Sequence, residues 1–341
     1  MTTSYSAAGV DIGAATQAKA LMAEAVRSTH GPAVLSAMGA FGGCFDAGLA
    51  LSGIAEPVLV ASTDGVGTKT LVAAACGRYD TVGQDLVNHC VNDILVQGAR
   101  PLFFLDYIAA AKLDPPMVAA VVGGIATACR AVGCALLGGE TAEMPQVYER
   151  GAFDLAGTIV GVVARAQMLP RPDVAAGDAI LALPSSGLHT NGYSLARRII
   201  EDHGAAAPYA ERPAALGGAS IGEALLAVHR CYLSEVEAMR AAVPLKALAH
   251  ITGGGLFDNL PRALPAGLGA TIRRGSWPIP PIFELLIERG GVAEHEAFHA
   301  LNMGLGMLAI VPPDAVATAL AAVPEACLVG QVTAETGITL L

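Results

Sequence analysis

The stretch with the most chemical content is a glycine-rich loop at residues 62–69, which reads Ser-Thr-Asp-Gly-Val-Gly-Thr-Lys. It directly follows the apolar run 57–61, so the pattern predicts a buried strand that ends in a tight turn. The two glycines allow the backbone to aim N–H groups at an anion. Asp64 is a suitable ligand for Mg²⁺, and Lys69 can neutralise a phosphate. We therefore predict that nucleotide phosphates contact four residues of this loop: Gly65, Val66, Gly67 and Thr68.

The lysine of this loop does not belong to a Walker A motif. That motif requires a lysine directly after a glycine, and every lysine in this sequence follows Ala, Thr or Leu. We therefore expect the chain to bind ATP by a route outside the P-loop folds.

A polar face on the next predicted helix, residues 81–97, offers further candidate metal ligands. Asparagine and aspartate oxygens suit Mg²⁺, and we predict that Asn92 and Asp93 bind the ion together with Asp64. The alternative interpretation is an ordinary solvated helix face. Four polar residues share this face because they lie at positions i, i+4, i+7 and i+8: Asp85, His89, Asn92 and Asp93.

Two more carboxylates are expected where predicted strands end. Asp106 follows the apolar segment 102–105, and Glu140 follows a Leu-Gly-Gly sequence. Acidic groups at strand ends of α/β folds commonly face the ligand. We predict that Asp64, Asp106 and Glu140 converge on one site for Mg²⁺ and a triphosphate. The turn around Glu140 is predicted to contact the nucleotide through three residues: Gly138, Gly139 and Thr141.

Two anion-binding turns are predicted in the second half of the chain. Segment 184–192 follows a strand and opens a helix, an arrangement that favours a phosphate at the helix start. His189 titrates near neutral pH and is the candidate for proton transfer, although a capped turn with an incidental histidine would look the same. Segment 250–255 repeats the order of strand, glycines and helix. We assign substrate binding to nine residues of these turns: Ser185, Ser186, Gly187, Asn191, His250, Thr252, Gly253, Gly254 and Gly255.

Two further motifs match known signatures but lack their context. Residues 295–299 read His-Glu-Ala-Phe-His, the zinc-protease pattern, yet the extended form with a third histidine is absent. Residues 304–309 fit the dinucleotide pattern G-x-G-x-x-A, but these glycines begin a strand when they should follow one. We expect a solvated helix face at the first motif and an ordinary strand at the second.

Composition restricts the class of protein. The chain has 341 residues, of which 53% are hydrophobic and 15% charged, so it can bury a large core. The net charge of −10 argues against a nucleic-acid partner. No stretch has the length and apolarity of a signal peptide or of the ~18–20 residues that span a bilayer. Seven cysteines without a Cys-x-x-Cys motif indicate reduced, mostly buried thiols in the cytoplasm.

The order of predicted elements indicates two domains. Strand-like and helix-like segments alternate up to a final long strand near residue 166, and a Pro-rich linker follows at 169–172. We therefore predict an N-terminal nucleotide-binding domain at 1–168 and a C-terminal substrate-binding domain at 169–341. Within the second domain, the pattern predicts one continuous helix over 221–241 and a last strand at 327–333.

Several of these stretches together resemble the phosphoribosylformylglycinamidine cyclo-ligase family, also called AIR synthetase. They occur in the family's order over essentially the whole chain, and their joint agreement is more specific than any single loop. The matching stretches lie at 8–12, 63–69, 90–93, 97–99, 101–107, 138–145, 185–189 with 191–195, and 250–255.

The resemblance implies an α/β (α+β) chain with the two-domain PurM-like fold. The N-terminal domains of a homodimer would form a shared barrel-like sheet, and the C-terminal domain would be ferredoxin-like. The implied enzyme of purine biosynthesis uses ATP and Mg²⁺ to convert formylglycinamidine ribonucleotide into aminoimidazole ribonucleotide, ADP and phosphate. The same superfamily contains selenophosphate synthetase, thiamine-monophosphate kinase and HypE. We assign catalysis to five residues: Asp64, Lys69, Asp106, Glu140 and His189.

The chain departs from the family pattern at three places. Ala23 stands where the family has a lysine in the first helix, with Lys19 and Arg27 as the nearby cations. Asn-His replaces Ala-Met at 88–89, and Leu-Asn-Met-Gly-Leu-Gly replaces Phe-Asn-Cys-Gly-Val-Gly at 301–306. These departures leave room for another ATP-using member of the superfamily, such as a small-molecule kinase or a selenophosphate-synthetase-like enzyme. They also leave room for a nucleotide-binding paralogue without turnover.

Overall fold

A computed structural model describes residues 12–341, which form two compact units. The first unit holds the described residues up to Ile94 together with Arg100–Arg165. The second unit holds Leu95–Ala99 together with Ala166–Leu341. The chain therefore enters the second unit briefly at Leu95–Ala99 before it completes the first.

The first unit is a four-stranded sheet with helices. The strands lie in the order β1-β4-β2-β3, with β1–β4 and β4–β2 antiparallel and β2–β3 parallel. Its elements in the described residues are α1 (Ile12–Arg27), α2 (Ala47–Ala50), β1 (Pro57–Gly65), α3 (Lys69–Cys76), α4 (Asp80–Leu95), β2 (Arg100–Ala110), α5 (Pro115–Ala131), β3 (Ala135–Glu143) and β4 (Phe153–Ala164).

Close packing of α4 and α5 depends on two glycines. A Cβ at Gly83 would overlap the carbonyl of Val121, and a Cβ at Gly124 would overlap the carbonyl of Asp80. The backbones of the two helices can therefore approach until they are in contact, which buries the apolar side of α4. This approach fixes where the polar residues of α4 are presented.

One part of the first unit's sheet is apolar and open. Leu59 on β1 is 62% exposed and Leu105 on β2 is 37% exposed. Together with Phe103 and Val160 they line a shallow cavity of about 350 Å³. Contiguous exposed apolar surface of this kind is uncommon on a monomer.

The second unit is built on a six-stranded mixed sheet in the order β10-β7-β9-β5-β8-β6. Its strand β8, which lies between β5 and β6, is buried at every residue, which explains its unbroken apolar sequence. Its elements are β5 (Ala179–Pro184), α6 (Tyr193–Glu201), α7 (Ile221–Leu225), α8 (Leu233–Ala242), β6 (Ala247–His250), α9 (Gly255–Asn259), β7 (Gly269–Ile272), α10 (Pro281–Gly290), α11 (Glu294–Ala300), β8 (Leu305–Val311), α12 (Val316–Ala322), β9 (Cys327–Thr333) and β10 (Gly337–Leu340).

The segment Leu95–Ala99 is packed into the second unit. Leu95 is 2% exposed and belongs to a core cluster with Leu169 and Met239. The carbonyl of Gly98 accepts a hydrogen bond from Nη1 of Arg240 at 2.9 Å. These contacts make the segment a structural part of the unit that follows it in sequence.

Two secondary-structure predictions for the second unit are wrong. The predicted continuous helix 221–241 is two helices, α7 and α8, separated by residues 226–232. The first begins with a capping box in which Ser220 and Glu223 bond reciprocally to each other's backbone, and it ends after little more than a turn. The strand at Cys327–Thr333 is not the last, because β10 follows and pairs in parallel with β7.

The structure shows the burial of the cysteines and the character of the helices. All seven cysteines are free; Cys90, Cys129 and Cys134 are buried, whereas Cys44 and Cys76 are exposed. Fewer of the thiols are buried than the sequence suggested. Within residues 12–341, no helix combines the length and apolarity that crossing a membrane requires.

Candidate active site

The glycine-rich loop and the polar side of α4 meet in a cluster of Ser62, Asp64, His89 and Asp93. Nε2 of His89 lies 2.9 Å from Oδ2 of Asp64 and 3.5 Å from Oδ2 of Asp93. The Ser62 hydroxyl donates to Oδ2 of Asp93 at 3.1 Å. We call these residues the carboxylate–histidine cluster. It brings together two of the three predicted metal ligands, Asp64 and Asp93, while the third, Asn92, is fully buried.

The charges of this cluster favour a protonated imidazole. Burial lowers the pKa of His89, but the hydrogen bond to Asp64 and the negative charges of Asp93, Asp64 and Asp85 outweigh it. The resulting pKa of His89 lies above the usual 6.5. His89 therefore bridges and partly neutralises two carboxylates that would otherwise repel each other.

Lys69 lies inside the first unit. It is the first residue of α3, its side chain is fully buried, and its Nζ lies 2.7 Å from Oδ2 of the equally buried Asp85. Burial lowers the pKa of Lys69, and the nearby carboxylate of Asp85 opposes that shift. The alternative interpretation of α4, an ordinary solvated helix face, is therefore wrong, because Asp85, His89 and Asn92 are all buried.

The loop between β1 and α3 presents mainly backbone. The N–H of Gly65 bonds to Oδ1 of Asp64 at 2.7 Å, and Gly67 has a φ of +53°, in the left-handed region. Val66 is fully buried, so its side chain anchors the loop, and Gly67 is exposed. This turn leads directly into the first turn of α3. Backbone N–H groups at the start of a helix favour a bound anion.

Asp106 and Glu140 lie elsewhere in the first unit. The predicted strand ends there are wrong, because β2 and β3 continue past both residues. Glu140 is on the edge strand β3 and Asp64 on the opposite edge strand β1, so three strand spacings of about 4.8 Å separate their backbones. Within one chain, the three acids do not converge on one point.

A cavity at the β3 edge collects the other predicted nucleotide-binding residues. It has a volume of about 690 Å³, and the glycine-rich segment 36–43 and Lys19 form part of its wall. Burial raises the pKa of Asp106 in this cavity to about 7. The predicted site residues that line it are Asp106, Gly138, Gly139, Glu140 and Thr141.

In the second unit, the turn after β5 is held by a buried asparagine. Oδ1 of Asn302 accepts from the Ser185 hydroxyl at 2.9 Å and from the Gly304 N–H at 2.9 Å. Nδ2 of Asn302 donates to the carbonyl of Gly187 at 2.8 Å. The Asn302 side chain therefore fixes the path of the turn. In the same turn, the hydroxyl of Ser186 donates a hydrogen bond to the carbonyl of Val228.

The turn after β6 is held in the same way by Asn259. Its Nδ2 lies 3.1 Å from the carbonyl of Gly253 and 2.8 Å from that of Gly255. Gly255 has a φ of +59°, and a Cβ there would overlap the carbonyl of Phe298. Both predicted anion-binding turns are thus rigid, and each depends on a buried amide.

Three buried histidines lie in or next to these turns: His189, His229 and His250, which we call the histidine cluster. Nε2 of His229 is 3.2 Å from Nε2 of His250, and the rings of His189 and His229 stack with centroids 4.0 Å apart. His189 has a φ of +64°, an uncommon conformation for a residue with a side chain. Its Nε2 accepts the N–H of Ser186 at 3.2 Å, so the turn itself orients the ring.

Comparison with known proteins identifies the family. Residues 46–163 match the N-terminal domain, and residues 175–341 the C-terminal domain, of AIR synthase related proteins. A phosphoribosylformylglycinamidine cyclo-ligase of Shouchella clausii (strain KSM-K16) is 46% identical over 345 residues, covering 100% of this chain and 99% of the relative. The chain belongs to the phosphoribosylformylglycinamidine cyclo-ligase family. A second cyclo-ligase, from Geobacillus kaustophilus (strain HTA426), is 47% identical and covers 99% of this chain and 98% of its own length.

These matches confirm the family resemblance that the sequence motifs predicted. Of the stretch 8–12 that contributed to it, only Ile12 falls within the described residues. The full-length identities also confirm an enzyme of the cyclo-ligase type, with ring closure in purine biosynthesis as the family's reaction.

Solved structures support the fold. Thiamine-monophosphate kinase from Stenotrophomonas maltophilia K279a has a TM-score of 0.68 at 18% identity and covers 94% of this chain and 95% of its own. HypE, an E. coli hydrogenase maturation protein, has a TM-score of 0.67 at 20% identity, covering 96% and 93%. A HypE structure in complex with ATP has a TM-score of 0.59 at 20% identity, covering 90% and 83%. The two-domain α/β fold shared by cyclo-ligases and these proteins is thus confirmed.

Sequence reasoning missed three residues that shape the site of this cyclo-ligase family member. No role was predicted for His229, because the apolar spacing around it indicated an unbroken helix. Asn259 and Asn302 received no role, although each is a buried polar residue beside a glycine-rich turn. The only available signal was their position next to turns that already drew attention, since hydrogen bonds to backbone carry no sequence pattern.

The zinc-protease pattern does not form a metal site. His295 stacks on Phe257 with centroids 5.1 Å apart, and Nε2 of His299 lies 3.8 Å from Oδ2 of Asp258. Among residues 12–341, neither histidine belongs to any group of His, Cys, Asp and Glu that is compact enough to hold an ion. The helix α11 presents His295 and Glu296 at the surface, as expected for an ordinary helix face.

Proposed function

We propose that this chain closes the five-membered ring of aminoimidazole ribonucleotide. It takes formylglycinamidine ribonucleotide and ATP, and it releases ADP and phosphate. The identity of 46–48% to cyclo-ligases over the full length carries this proposal. The structural likeness to a thiamine-monophosphate kinase, at 18% identity, concerns the fold alone and does not favour the kinase alternative.

The carboxylate–histidine cluster is our proposed site for Mg²⁺–ATP. The oxygens of Asp64, Asp93 and Ser62 are hard donors of the type that Mg²⁺ prefers. The side chains of Asp64 and Asp93 are 49% and 25% exposed, so an ion can reach them. A bound Mg²⁺ would supply charge neutralisation at the phosphates. The buried Asn92 supports this face from inside the unit.

The cavity at the β3 edge is our proposed site for further nucleotide contacts. The glycine turn 138–141 and Asp106 line it, and Lys19 projects from α1 into the same wall. Lys19 lies four residues before Ala23, so both positions share one face of α1. We propose that Lys19 takes the place of the lysine that the family carries one turn later.

The two asparagine-braced turns of the second unit are our proposed substrate site. Ser186, Thr252 and the glycines at 253–255 offer hydroxyl and N–H donors that suit a ribose phosphate. His189 is positioned by the Ser186 N–H and is the proposed group for proton transfer. His250 ends β6 at the start of the second turn.

The proposed chemistry needs little covalent help from the protein. The amide oxygen of the substrate attacks the γ-phosphate of ATP and displaces ADP. The amidine nitrogen then attacks the activated carbon, the ring closes, one proton leaves the nitrogen, and phosphate departs with the former amide oxygen. Such transfer is accelerated mainly by positioning and by charge stabilisation.

The decisive experiment measures ADP release with and without formylglycinamidine ribonucleotide, alongside formation of the aminoimidazole product. Equal amounts of ADP and product are expected, and only when the substrate is present. A phosphorylated substrate without ring closure would identify a kinase, and nucleotide binding without ADP release would identify a paralogue without turnover.

The variant Asp64→Asn tests the proposed metal site in the same assay. We expect kcat to fall by roughly 10²–10³, because one preorganised charge at the transferring phosphate is lost. Turnover near that of the unmodified enzyme would remove Asp64 from the reaction.

We further propose a cytoplasmic homodimer. Seven free cysteines suit a reducing compartment. The open apolar surface around Leu59, Phe103 and Leu105 suits a second copy of this chain, since a sheet with an exposed apolar face needs a partner layer.

A further inference from the structure

The histidine cluster has a chemistry that the proposed ring closure does not use. His189, His229 and His250 are 1%, 0% and 6% exposed, and each offers one ring nitrogen within 4.8 Å of the other two. Neutral imidazole nitrogens are the preferred ligands of Zn²⁺, Co²⁺, Ni²⁺ and Cu²⁺, whereas Mg²⁺ prefers oxygen. We infer that the histidine cluster is a binding site for a divalent transition-metal ion.

The spacing of two of the nitrogens already matches shared coordination. Two nitrogens bound at about 2.0–2.1 Å to one tetrahedral ion lie about 3.3 Å apart. Nε2 of His229 and Nε2 of His250 lie 3.2 Å apart. Two imidazole lone pairs at this distance repel unless one positive centre, a proton or a metal ion, lies between them.

The surroundings of His229 are compatible with the tautomer that a metal requires. Its Nδ1 lies 3.3 Å from the hydroxyl of Thr190, a partner of the kind that orients metal-bound histidines. When Nδ1–H donates to this hydroxyl, the lone pair of the ring is on Nε2, the atom that faces His250. In that tautomer, His229 is oriented from one side and presents a ligand on the other.

His189 completes the set after a small movement. Its ligand nitrogen lies within 4.8 Å of the other two, so a shift of roughly 1.5 Å brings it to coordination distance. Such a shift requires the ring to rotate out of its stack with His229, and this rotation competes with the hydrogen bond from the Ser186 N–H to Nε2. Three histidines leave a fourth position open to water or an anion, the arrangement of catalytic and inhibitory zinc sites.

Occupation of this site has a consequence for the proposed reaction. An ion held by His189 and His250 would remove both side chains from proton transfer and from substrate binding. Micromolar transition metals should therefore inhibit an enzyme that Mg²⁺ supports. The site itself is independent of the proposed function, because binding can be measured whether or not the ring closes.

The test is a titration of the full chain with Co²⁺. Transition metals are first removed with a chelator, and excess Mg²⁺ is present throughout. We expect one Co²⁺ per chain, with the intense visible absorption of a tetrahedral ion and without the near-ultraviolet band of cobalt–thiolate ligation. Zn²⁺ should displace it in equal amount. Absence of such binding, or a thiolate band, would overturn the inference.

Three variants locate the ion. His229→Asn should weaken Co²⁺ binding by more than about 100-fold, since loss of an outer-shell partner alone costs about 10–100-fold. Thr190→Val keeps the shape of the residue, removes the hydroxyl, and should weaken binding by about tenfold. His295→Asn, at the surface of α11, is the matched control and should bind Co²⁺ unchanged.

The outcomes separate the alternatives. Undiminished affinity in His229→Asn, or loss of affinity in His295→Asn, would overturn the site. Thermal unfolding of each metal-free variant establishes that it folds. Should His229→Asn fail to fold, Thr190→Val decides, and unchanged affinity in that variant would reject the inference.

Discussion

The role of single residues in this protein is set by what surrounds them. His89 shows this most clearly, because it lies between Asp64 and Asp93, the two accessible carboxylates proposed to hold Mg²⁺. In the ligand-free cluster its ring occupies the oxygens that an ion would use. We therefore expect His89 to compete with a bound ion, in contrast to the usual view of a histidine beside an ion as a ligand.

Replacing His89 with Met should release both carboxylates for the metal. We expect the Mg²⁺ concentration for half-maximal ADP release to fall about fivefold, because one opposing charge at 4 Å in water is worth about 1 kcal/mol. The measurement is a Mg²⁺ titration of turnover at fixed pH, with Asn88→Ala as the control. An unchanged or higher half-saturation point would show that His89 does not compete with the ion.

Asp106 should make the stability of the protein depend on pH. Burial raises its pKa in the folded state from 3.8 to about 7, so the folded carboxyl keeps its proton where the unfolded one has lost it. Stability is therefore lost as pH rises from about 4 to about 7, and Asp106→Asn should be more stable at pH 8 by up to about 4 kcal/mol.

Urea unfolding at pH 5 and pH 8 measures this effect. The gain from Asp106→Asn should be less than half as large at pH 5 as at pH 8, where it is full, while Asp114→Asn, at an exposed position, should change neither value. Equal effects of Asp106→Asn at both pH values would mean that Asp106 ionises normally in the folded chain.

At the scale of elements, the helix α4 organises the first unit through its polar side. Asp85 points into the unit and meets Lys69 at the start of α3, whereas His89 and Asp93 meet β1. One helix face therefore performs two tasks: it fixes α3 through a buried ion pair, and it positions the proposed metal ligands. This explains why four polar residues occupy a face that is otherwise surrounded by apolar contacts.

Breaking the ion pair between α3 and α4 from one side should destabilise the protein strongly. Lys69→Met leaves Asp85 as a buried charge without its counterion, and we expect a loss of about 3–5 kcal/mol in the free energy of unfolding. The double variant Lys69→Met/Asp85→Leu should recover most of this loss, because both charges are removed.

The double variant also tests the role of Lys69 in the reaction. If Lys69 serves structure alone, the refolded double variant should retain ring closure in the ADP assay. A stable double variant without turnover would return Lys69 to the phosphate site that the sequence predicted for it.

The sequence was sufficient for many of the elements and for part of the site. The apolar run before Asp64 predicted the start of β1, although the strand continues to Gly65 and none of its residues is buried. The spacing of Asp85, His89 and Asp93 predicted their common face on α4. It failed where a property depends on partners far away in sequence. The burial of Lys69 depends on Asp85, and the position of His229 depends on a break in a helix that its own spacing did not indicate.

At the scale of the whole molecule, the open apolar surface of the first unit predicts association. Leu59→Glu places a charge in the centre of this surface, and it should convert the proposed homodimer into a monomer. Light scattering during size-exclusion chromatography measures the mass directly. Leu21→Glu, at another exposed apolar position, is the control and should leave the dimer intact.

A dimer that persists in Leu59→Glu would place the interface elsewhere. Loss of ring closure together with loss of the dimer would indicate that the partner contributes to the site. This is a useful outcome, because within one chain Asp64 and Glu140 are on opposite edges of the sheet.

The short crossing of the chain at Leu95–Ala99 limits how this protein can be divided. A fragment that starts at Ala166 would be missing Leu95 from its interior, together with the carbonyl of Gly98 that Arg240 binds. A cavity therefore remains in the apolar core that contains Met239 when the C-terminal half is expressed alone. The same cavity arises when this half is exchanged between relatives without residues 95–99. Gene fusions and chimaeras of this protein should carry the 95–99 peptide with the half that it completes.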